Sequence, residues 1–265
     1  ICDEGARLMS GLAISDNTNR LTTHDGLPLT QMCLLGTFAE YITVNQASLV
    51  KIEDDIPLKE AALLGCGVAT GWGSAAQIGG TRTGDTVVVV GVGGVGINSV
   101  QGAVASGARF VVAVDPVPFK REMAQKMGAT HTFASMEEAL GPVGEFTWGK
   151  MANTTIITVG VIEGEMIAPA LALTAKGGQV VVTGMGPASD IDVKLSLFEL
   201  TLLQKRVQGA IFGGAGPRTQ IPNLLNEYRA GKLNLADLVT TRYTLDQVNE
   251  AYDDMLNGKN IRGMI

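Results

Sequence analysis

Short apolar runs alternate with stretches of helical periodicity along the chain from Asp85 onward. The apolar runs predict strands at 86–90, 110–114, 130–133, 154–159, 179–183 and 206–211. Helices are predicted between these strands, including one that begins near Glu165 and ends at Gly177. Strands that alternate with helices are typical of a parallel sheet with both faces covered. The pattern therefore predicts an α/β fold with a six-stranded, doubly wound parallel sheet.

Residues 1–60 follow a different pattern, with frequent Gly, Thr and Asn and only short apolar pieces. The two clearest pieces predict strands at 38–44 and 48–52. We interpret this region as the remainder of a β-rich domain, followed by a sheet-based domain at 61–215. Residues 216–265 are predicted to form C-terminal helices and a last strand that returns to the β-rich domain. The chain opens without Met and stops inside an apolar run, so we expect it to be part of a longer polypeptide.

A glycine-rich turn follows the first strand of the predicted sheet. The apolar run Val87–Val90 leads into Gly91-Val92-Gly93-Gly94-Val95-Gly96, and a helical stretch begins there. In a dinucleotide-binding turn, the first glycine allows the sharp turn and the second lets the backbone approach a pyrophosphate. The third glycine lets the helix pack closely on the sheet. The helix N-terminus adds free N–H groups and the positive end of a dipole for the phosphates.

The elements after this turn complete the same signature. Ile97, Val100 and Val104 recur at helical spacing, which predicts one face of the helix against the sheet. The next apolar run ends at Asp115, about twenty residues beyond Gly96. A carboxylate there accepts hydrogen bonds from ribose hydroxyls and repels a 2′-phosphate. The sequence therefore predicts a Rossmann domain that prefers NAD(H) to NADP(H), although glycine-rich turns also occur in other α/β proteins.

Composition narrows the partners of the chain. With 46% hydrophobic residues, 265 residues can bury a substantial core, and the net charge of −6 argues against a nucleic-acid surface. No apolar stretch has membrane-spanning length. The three cysteines are widely separated and do not suggest a disulfide framework. We therefore expect a cytoplasmic protein that acts on a small molecule, with neither nucleic acid nor membrane as a partner.

Several motifs resemble the zinc-dependent alcohol dehydrogenases of the medium-chain dehydrogenase/reductase superfamily. They are GTFAEY at 36–41, GCGVATGWG at 65–73, GAIFGG at 209–214 and IRG at 261–263. The likeness runs along the whole chain, and it is closest to the bacterial nicotinoprotein alcohol dehydrogenases at 32–40, 115–122 and 192–203. It implies a Rossmann domain with part of a GroES-like catalytic domain. It also implies hydride transfer between a primary alcohol or aldehyde and NAD(H).

The nicotinoprotein branch carries two further implications. Its members keep NAD(H) tightly bound and pass electrons to a nitroso compound or to a peptide-derived redox cofactor. Family dimers join their sheets through an edge strand that resembles Val207–Phe212, so a homodimer or a dimer of dimers is expected. An apolar edge of this kind is an association hazard if it stays bare.

The resemblance assigns metal ligands to two cysteines. Cys66 of the Gly-Cys-Gly motif matches a catalytic zinc ligand, and Cys2 resembles the last of four cysteines that bind a structural zinc. Thiolate suits Zn²⁺, which at an open catalytic site polarises an alcohol oxygen. The family's other catalytic ligands, an early Cys and a His followed by Glu, have no counterpart here. Neither His24 nor His131 is followed by Glu, and Cys33 is interpreted as a packing residue.

The resemblance also implies cofactor contacts outside the glycine-rich turn. Lys120 matches the residue that reaches the adenosine ribose beside Asp115, and Arg262 matches the partner of the pyrophosphate. Thr70 falls where the family lines the nicotinamide and the substrate. The positions expected near the nicotinamide carboxamide are Thr183, Met185 and Phe212.

Three functions remain open at this point. The first is a zinc- and NAD-dependent alcohol or aldehyde oxidoreductase, and the second is a non-catalytic NAD-binding protein. The third is a zinc-independent reductase like the quinone reductases, which Cys66 disfavours because it would have no role there. A Gly-His-Glu motif upstream of Ile1 would distinguish the enzyme from the binding protein.

Overall fold

The computed structural model describes residues 10–265. These residues divide into two compact units, one formed by residues up to Glu53 together with Ile265 and one formed by Asp54–Met264. Within the described part of the chain, no helix is long and apolar enough to cross a membrane.

The second unit is built on the predicted six-stranded parallel sheet. Its strands follow the spatial order β5-β4-β3-β6-β7-β8. Their bounds are β3 (Thr86–Val90), β4 (Phe110–Val114), β5 (His131–Phe133), β6 (Ala152–Ile157), β7 (Thr174–Val182) and β8 (Arg206–Gly209). The order reverses between β3 and β6, which makes the carboxyl ends of these two strands the topological switch point of the sheet. The predicted α/β Rossmann fold is confirmed.

Helices connect and cover the strands. They are α1 (Leu58–Ala61), α2 (Gly67–Gly73), α3 (Gly96–Ala105), α4 (Pro118–Lys126), α5 (Met136–Phe146), α6 (Ile167–Ala172), α7 (Leu197–Leu202), α8 (Pro217–Arg229) and α9 (Val248–Leu256). Val88 and Val90 pack with Ala139 and Val143 of α5 on one face of the sheet. Val87 and Val89 alternate to the other face and are fully buried too, so both faces are covered.

The glycine-containing helix α2 lies very close to α3. A Cβ atom on Gly71 would stand 2.0 Å from the Val95 carbonyl oxygen, and one on Gly102 would stand 2.8 Å from that of Trp72. Ser99 Oγ donates to the Gly71 carbonyl oxygen at 2.8 Å between the same two helices. This close approach fixes the segment that carries Cys66 and Thr70 beside the helix that begins at the glycine-rich turn.

The first unit contains less regular structure than the sequence predicts. Its paired strands are β1 (Leu21–Thr22) and β2 (Pro28–Leu29), which form a short antiparallel hairpin. The strands predicted at 38–44 and 48–52 are wrong, because neither segment pairs with another strand among the described residues. Phe38 and Tyr41 are largely exposed there. Strand formation requires a partner ladder, and apolar composition alone does not supply one.

Three other predictions need correction in detail. Val104 is 41% exposed, so the buried face of α3 continues through Ala103 instead. The helix expected to end at Gly177 ends at Ala172, because Thr174–Val182 joins the sheet beside β6. Strand β8 ends at Gly209, two residues earlier than expected, and Phe212–Gly214 forms a 3₁₀ turn.

The C-terminal region adds a small second sheet. The predicted last strand is β10 (Arg262–Met264), which pairs in parallel with β9 (Val239–Arg242). The helical segment before it begins with a capping box in which Thr244 N–H donates to Gln247 Oε1 at 3.0 Å. This arrangement brings Arg262 back to the glycine-rich turn at the centre of the main sheet, where its Nη2 donates to Gly94 O at 2.9 Å.

Candidate cofactor crevice and active site

The glycine-rich turn lies at the switch point of the sheet, between the carboxyl ends of β3 and β6. Gly91 has a φ of +83°, a left-handed conformation that favours glycine, and its amide donates to the Val114 carbonyl oxygen at 2.7 Å. Thr158, which directly follows β6, donates from Oγ1 to the Gly91 carbonyl oxygen at 2.5 Å. A crevice at such a switch point is the usual ligand site of an open α/β sheet.

The glycines of the turn differ in how much space surrounds them. A Cβ atom on Gly96 would stand 1.9 Å from the Gly91 carbonyl oxygen and 2.4 Å from Thr158 Oγ1. A Cβ atom on Gly93 would meet only Lys120 Nζ, at 4.0 Å. Gly96 is therefore required by the packing of the protein itself, whereas the space over Gly93 is available to a ligand. Val92 is fully buried beneath the turn.

Asp115 links the second strand of the sheet to the turn. Its side chain is buried, with Oδ2 accepting from Val92 N at 3.0 Å and Oδ1 accepting from Val117 N at 2.9 Å. Arg121 Nη1 donates to the Asp115 carbonyl oxygen at 2.6 Å. The carboxylate has further acceptor capacity beyond these two bonds, since each ionised oxygen carries two lone-pair sites. It is held in place before any ribose arrives.

A cavity of about 430 Å³ adjoins these residues. Gly91, Gly93, Asp115 and Lys120 all line it. Its lining also includes residues that the sequence analysis did not single out, among them Val117, Ser135, Met136, Glu137, Thr158, Val159, Gly160 and Met166. Most of these follow the carboxyl ends of β5 and β6, so the strand order would have identified them had it been known.

Arg262 lies over the other end of the turn. Its Nη2 donates to the Gly94 carbonyl oxygen at 2.9 Å, and Asn98 Nδ2 donates to the same oxygen at 3.0 Å. The guanidinium also occupies the space where a Cβ atom of Gly67 would stand. Burial lowers the pKa of Arg262 from its ordinary value, while the adjacent Cys66 acts in the opposite direction. Arg262 thus brings the Gly-Cys-Gly segment and the phosphate turn together.

Hydrogen bonds of the Ser74 hydroxyl connect α2 with the end of β7. Ser74 Oγ donates to the Thr70 carbonyl oxygen at 2.7 Å and is 2.9 Å from Thr183 Oγ1. Thr70 Oγ1 is itself buried and has no hydrogen-bond partner among the described residues. A buried hydroxyl without a partner is costly, so its position suits a polar group of a bound cofactor or substrate. Ser74 was missed from sequence because only the fold brings it to Thr183.

Phe212 and Met185, the other two residues predicted to lie near the nicotinamide, belong to different segments. The turn at Phe212–Gly214 packs on α2, where a Cβ atom on Gly213 would stand 2.2 Å from the Ala69 carbonyl oxygen. Met185 forms an isolated bridge with Val161, and its side chain is 72% exposed. No contact tests their proposed roles, which stay predictions.

The described residues provide one side chain suited to the catalytic zinc. Cys66 is exposed and its thiol is free, at the N-terminus of α2. No group of three His, Cys, Asp or Glu side chains within residues 10–265 could hold a metal ion. His131 contacts Thr130 Oγ1 and stacks on Phe146, and His24 is in an exposed turn. Cys2 lies outside the described residues. Cys66 as a catalytic zinc ligand therefore stays a prediction, with no second candidate ligand beside it among residues 10–265.

The family was identified by comparison with known proteins. Residues 94–229 match the family described as zinc-binding dehydrogenase. Over 265 residues the chain is 50% identical to alcohol dehydrogenase B of Mycobacterium tuberculosis, covering all of this chain and 70% of that protein. It is 49% identical to the NDMA-dependent alcohol dehydrogenase of Amycolatopsis methanolica, covering all of this chain and 71% of that protein.

Solved structures agree with this assignment. An alcohol dehydrogenase zinc-binding domain protein from Burkholderia ambifaria superposes with a TM-score of 0.89 at 27% identity, over 99% of this chain and 70% of that chain. Benzyl alcohol dehydrogenase from Acinetobacter calcoaceticus superposes with a TM-score of 0.75 at 26% identity, over 81% of this chain and 59% of that chain. With its sheet, its glycine-rich turn and these relatives in agreement, the chain belongs to the zinc-binding dehydrogenase family.

Proposed function

We propose that this chain carries the NAD(H)-binding domain of an alcohol dehydrogenase that transfers a hydride between a primary alcohol or aldehyde and NAD(H). The observation that carries the proposal is the glycine-rich turn at the sheet's switch point, with open space over Gly93 and Asp115 hydrogen-bonded beneath it. Two relatives that are 50% and 49% identical in sequence are named as alcohol dehydrogenases, and they support the reaction class. Membership of the family implies both NAD(H) and zinc as cofactors.

The residues of this chain act by fixing the position and orientation of the dinucleotide. Asp115 accepts from the adenosine ribose, while Lys120 and Arg262 place positive charge at the two ends of the phosphate turn. Thr70 offers its hydroxyl at the nicotinamide end, and the Ser74–Thr183 contact fixes α2 relative to β7. The bound NAD⁺ supplies the hydride acceptor. Orientation of this kind contributes to catalysis by holding the reacting carbon atoms close together before reaction.

Cys66 is proposed as the one catalytic zinc ligand supplied by the described residues. Its exposure beside Thr70 and Arg262 is consistent with a thiolate that faces the reacting end of the cofactor. Since a catalytic zinc site uses about three protein ligands, Cys66 would hold the metal only together with ligands from outside the described residues. Cys2 as a structural ligand stays a proposal of the sequence likeness.

We further propose the nicotinoprotein mode, in which NAD(H) stays bound and an external acceptor reoxidises it. The support is the NDMA-dependent relative and the sequence likeness at 32–40, 115–122 and 192–203. Protein purified without added nucleotide should release about one equivalent of NAD(H) on acid denaturation.

We also propose a division of the chain into three parts. They are the remainder of a β-rich domain at 1–60, a cofactor domain at 61–215 and a C-terminal region at 216–265. A cytoplasmic location is proposed as well.

The other two functions have less support. A zinc-independent quinone-type reductase leaves the exposed Cys66 without a role, and the relatives compared above are named as alcohol dehydrogenases. A non-catalytic NAD-binding protein would use the same crevice, so only a measurement of activity distinguishes it from the proposed enzyme. Alcohol-dependent reduction of bound NAD⁺ decides between that protein and the enzyme.

A symmetric dimer through the sheet edge is also proposed. All residues of β8 are exposed, and the strand pairs on one side only, with β7. Val207, Ile211 and Phe212 leave 42%, 51% and 39% of their surfaces exposed along this edge. A bare apolar edge of this kind tends to pair with another strand, and a second copy of the chain would continue the sheet.

The cofactor preference provides the sharpest test of the proposal. Asp115→Asn removes the charge that repels a 2′-phosphate, and it should shift the NADP(H)/NAD(H) discrimination by about 1–3 kcal/mol. Titration calorimetry with both nucleotides measures that shift. Asp85→Asn is the control, because its carboxylate accepts from Arg82 N just before β3, at the opposite edge of the sheet from Asp115. Equal or tighter binding of NADP(H) by the unchanged protein would contradict the proposal.

A further inference from the structure

A second cavity, of about 530 Å³, lies at the amino ends of the strands. Its walls come from the starts of β3, β4, β6 and β7 and from the loop after α5. The six side chains that matter here are Arg109, Phe110, Phe146, Trp148, Lys150 and Lys176, which we call the amino-edge pocket. A five-residue strand is about 16 Å long, so this pocket is separate from the cofactor crevice at the carboxyl ends.

The amino-edge pocket concentrates positive charge in an acidic chain. Arg109, Lys150 and Lys176 line it, no Asp or Glu does, and the whole chain carries a net charge of −6. Within the described residues none of these three cations forms a salt bridge. Uncompensated cations that converge on one concavity favour an anion as the ligand.

Aromatic rings form the other half of the lining. Phe110 and Phe146 have ring centroids 4.8 Å apart. The Arg109 guanidinium lies 4.8 Å from the Phe110 ring centroid and 5.0 Å from that of Trp148. His131 stacks on Phe146 with ring centroids 4.4 Å apart, so these rings already have partners within the protein. The exposed ring of Trp148 leaves surface on which a planar ligand can stack.

The turn that presents Trp148 is the left-handed end of α5, where the Trp148 amide donates to the Glu145 carbonyl oxygen at 3.1 Å. Trp148 has a φ of +53° and Met151 a φ of +70°, which is uncommon for bulky residues. Thr147 pins the loop, since its Oγ1 donates to the Val143 carbonyl oxygen and accepts from Met151 N at 2.9 Å. These contacts hold the loop in place while the Trp148 side chain stays 72% exposed at the pocket. An exposed aromatic ring beside a cavity is available for a ligand to stack on.

From these observations we infer that the amino-edge pocket binds a planar aromatic anion, with its ring against Trp148 and its carboxylate or phosphate between Lys150 and Lys176. Asn153 adds an amide donor, because its Oδ1 already accepts from Thr86 N at 2.9 Å. The cavity volume is in the range of small-molecule sites, about 300–1,000 Å³. No covalent chemistry is involved, and the site is independent of the proposed dehydrogenase reaction.

Trp148 itself reports the binding. The chain has two tryptophans, and Trp72 is buried in α2, so a Trp72→Phe variant leaves Trp148 as the single emitter. The NAD⁺-saturated protein is titrated with benzoate, phenyl phosphate, benzamide and inorganic phosphate. Benzoate and phenyl phosphate should change Trp148 emission saturably, and whichever binds more tightly identifies the anionic group. Neutral benzamide and ring-free phosphate should each bind at least about five-fold more weakly.

Two variants test the assignment to these residues. Lys176→Gln should weaken benzoate binding about five-fold, whereas the matched control Lys194→Gln, an exposed lysine outside the pocket, should leave it unchanged. Trp148→Gly should abolish benzoate binding in calorimetry, and glycine suits the positive φ at this position. No saturable response to either ring-bearing anion, equal effects of the two lysine variants, or unchanged benzoate affinity in Trp148→Gly would each overturn the inference.

Discussion

At the scale of single residues, the glycines of the phosphate turn separate requirements of the fold from requirements of the ligand. Gly96 is needed because the Gly91 carbonyl oxygen and Thr158 occupy its side-chain space. Gly93 has no such neighbour, and its missing side chain leaves room for a pyrophosphate. The sequence motif treats these glycines alike, and only the packing around them distinguishes the two requirements.

This difference predicts opposite outcomes for two alanine variants. Gly93→Ala should leave Tm unchanged and weaken NAD(H) binding at least ten-fold, because the new methyl group meets the pyrophosphate and no protein atom. Gly96→Ala should cost roughly 1–3 kcal/mol of stability through overpacking. Thermal denaturation and nucleotide titration, run on both variants, measure the two effects. A large fall in Tm for Gly93→Ala would contradict the assignment of that space to a ligand.

Thr70 supports a second residue-scale prediction. Its Oγ1 is buried without a partner, so Thr70→Val should change stability by less than about 1 kcal/mol. If the hydroxyl contacts cofactor or substrate, kcat/KM should fall up to about ten-fold, as expected for one lost hydrogen bond.

Thr81→Val is the matched control for that experiment. The hydroxyl of Thr81 is also buried, but it donates to the Ala75 carbonyl oxygen at 2.8 Å. Its removal should lower Tm and leave turnover unchanged. Unchanged turnover in Thr70→Val would assign its hydroxyl no role at the reacting end of the cofactor.

At the scale of elements, buried strands were predictable and exposed ones were not. Strands β3 and β4 match the predicted bounds because every valine in them is buried on one face or the other. The segment at 38–44 has similar apolar content but no ladder partner in the described residues, and its side chains are exposed. Strand formation depends on pairing with distant segments, which a local pattern does not contain.

The residues of the candidate site divide in the same way, into those that a local motif identifies and those that only the fold brings together. The glycine-rich turn, Asp115 and Cys66 were identifiable because each belongs to a contiguous motif. Ser74 and Thr158 were not, since their contacts with Thr183 and Gly91 arise only through the packing of α2 and the reversal of strand order at β6. Arg262 was identified through family resemblance alone, and its bond to Gly94 spans 168 residues of sequence.

The edge strand β8 gives the element-scale prediction. Val207→Asp places a charge in the middle of the proposed intersubunit ladder and should shift the protein from dimer to monomer at micromolar concentration. Val104→Asp is the matched control, because Val104 on α3 is 41% exposed against 42% for Val207. Light scattering of both variants measures the state. A dimer that persists in Val207→Asp, or a monomeric unchanged protein, would rule out assembly through this edge.

At the scale of the whole molecule, the residues proposed to hold NAD(H) and those proposed to hold zinc are distributed differently. The proposed nucleotide contacts, which are the turn, the carboxylate and the cations, all belong to Asp54–Met264. The same unit offers Cys66 as one proposed metal ligand, whereas a catalytic zinc uses about three protein ligands. Loss of metal and loss of nucleotide should therefore be separable by mutation.

Cys66 and Cys33 provide that separation, because both thiols are free, Cys66 adjoins Arg262, and Cys33 belongs to the other unit. In the full-length protein, Cys66→Ala should remove about one equivalent of zinc and abolish alcohol oxidation. NAD(H) affinity should stay within about two-fold, since the energy of one thiol contact is small beside that of the intact turn and Asp115. Cys33→Ala should keep zinc, nucleotide and turnover. Metal analysis, calorimetry and an alcohol oxidation assay on the two variants decide the matter, and full activity in Cys66→Ala would exclude the thiolate as the catalytic ligand.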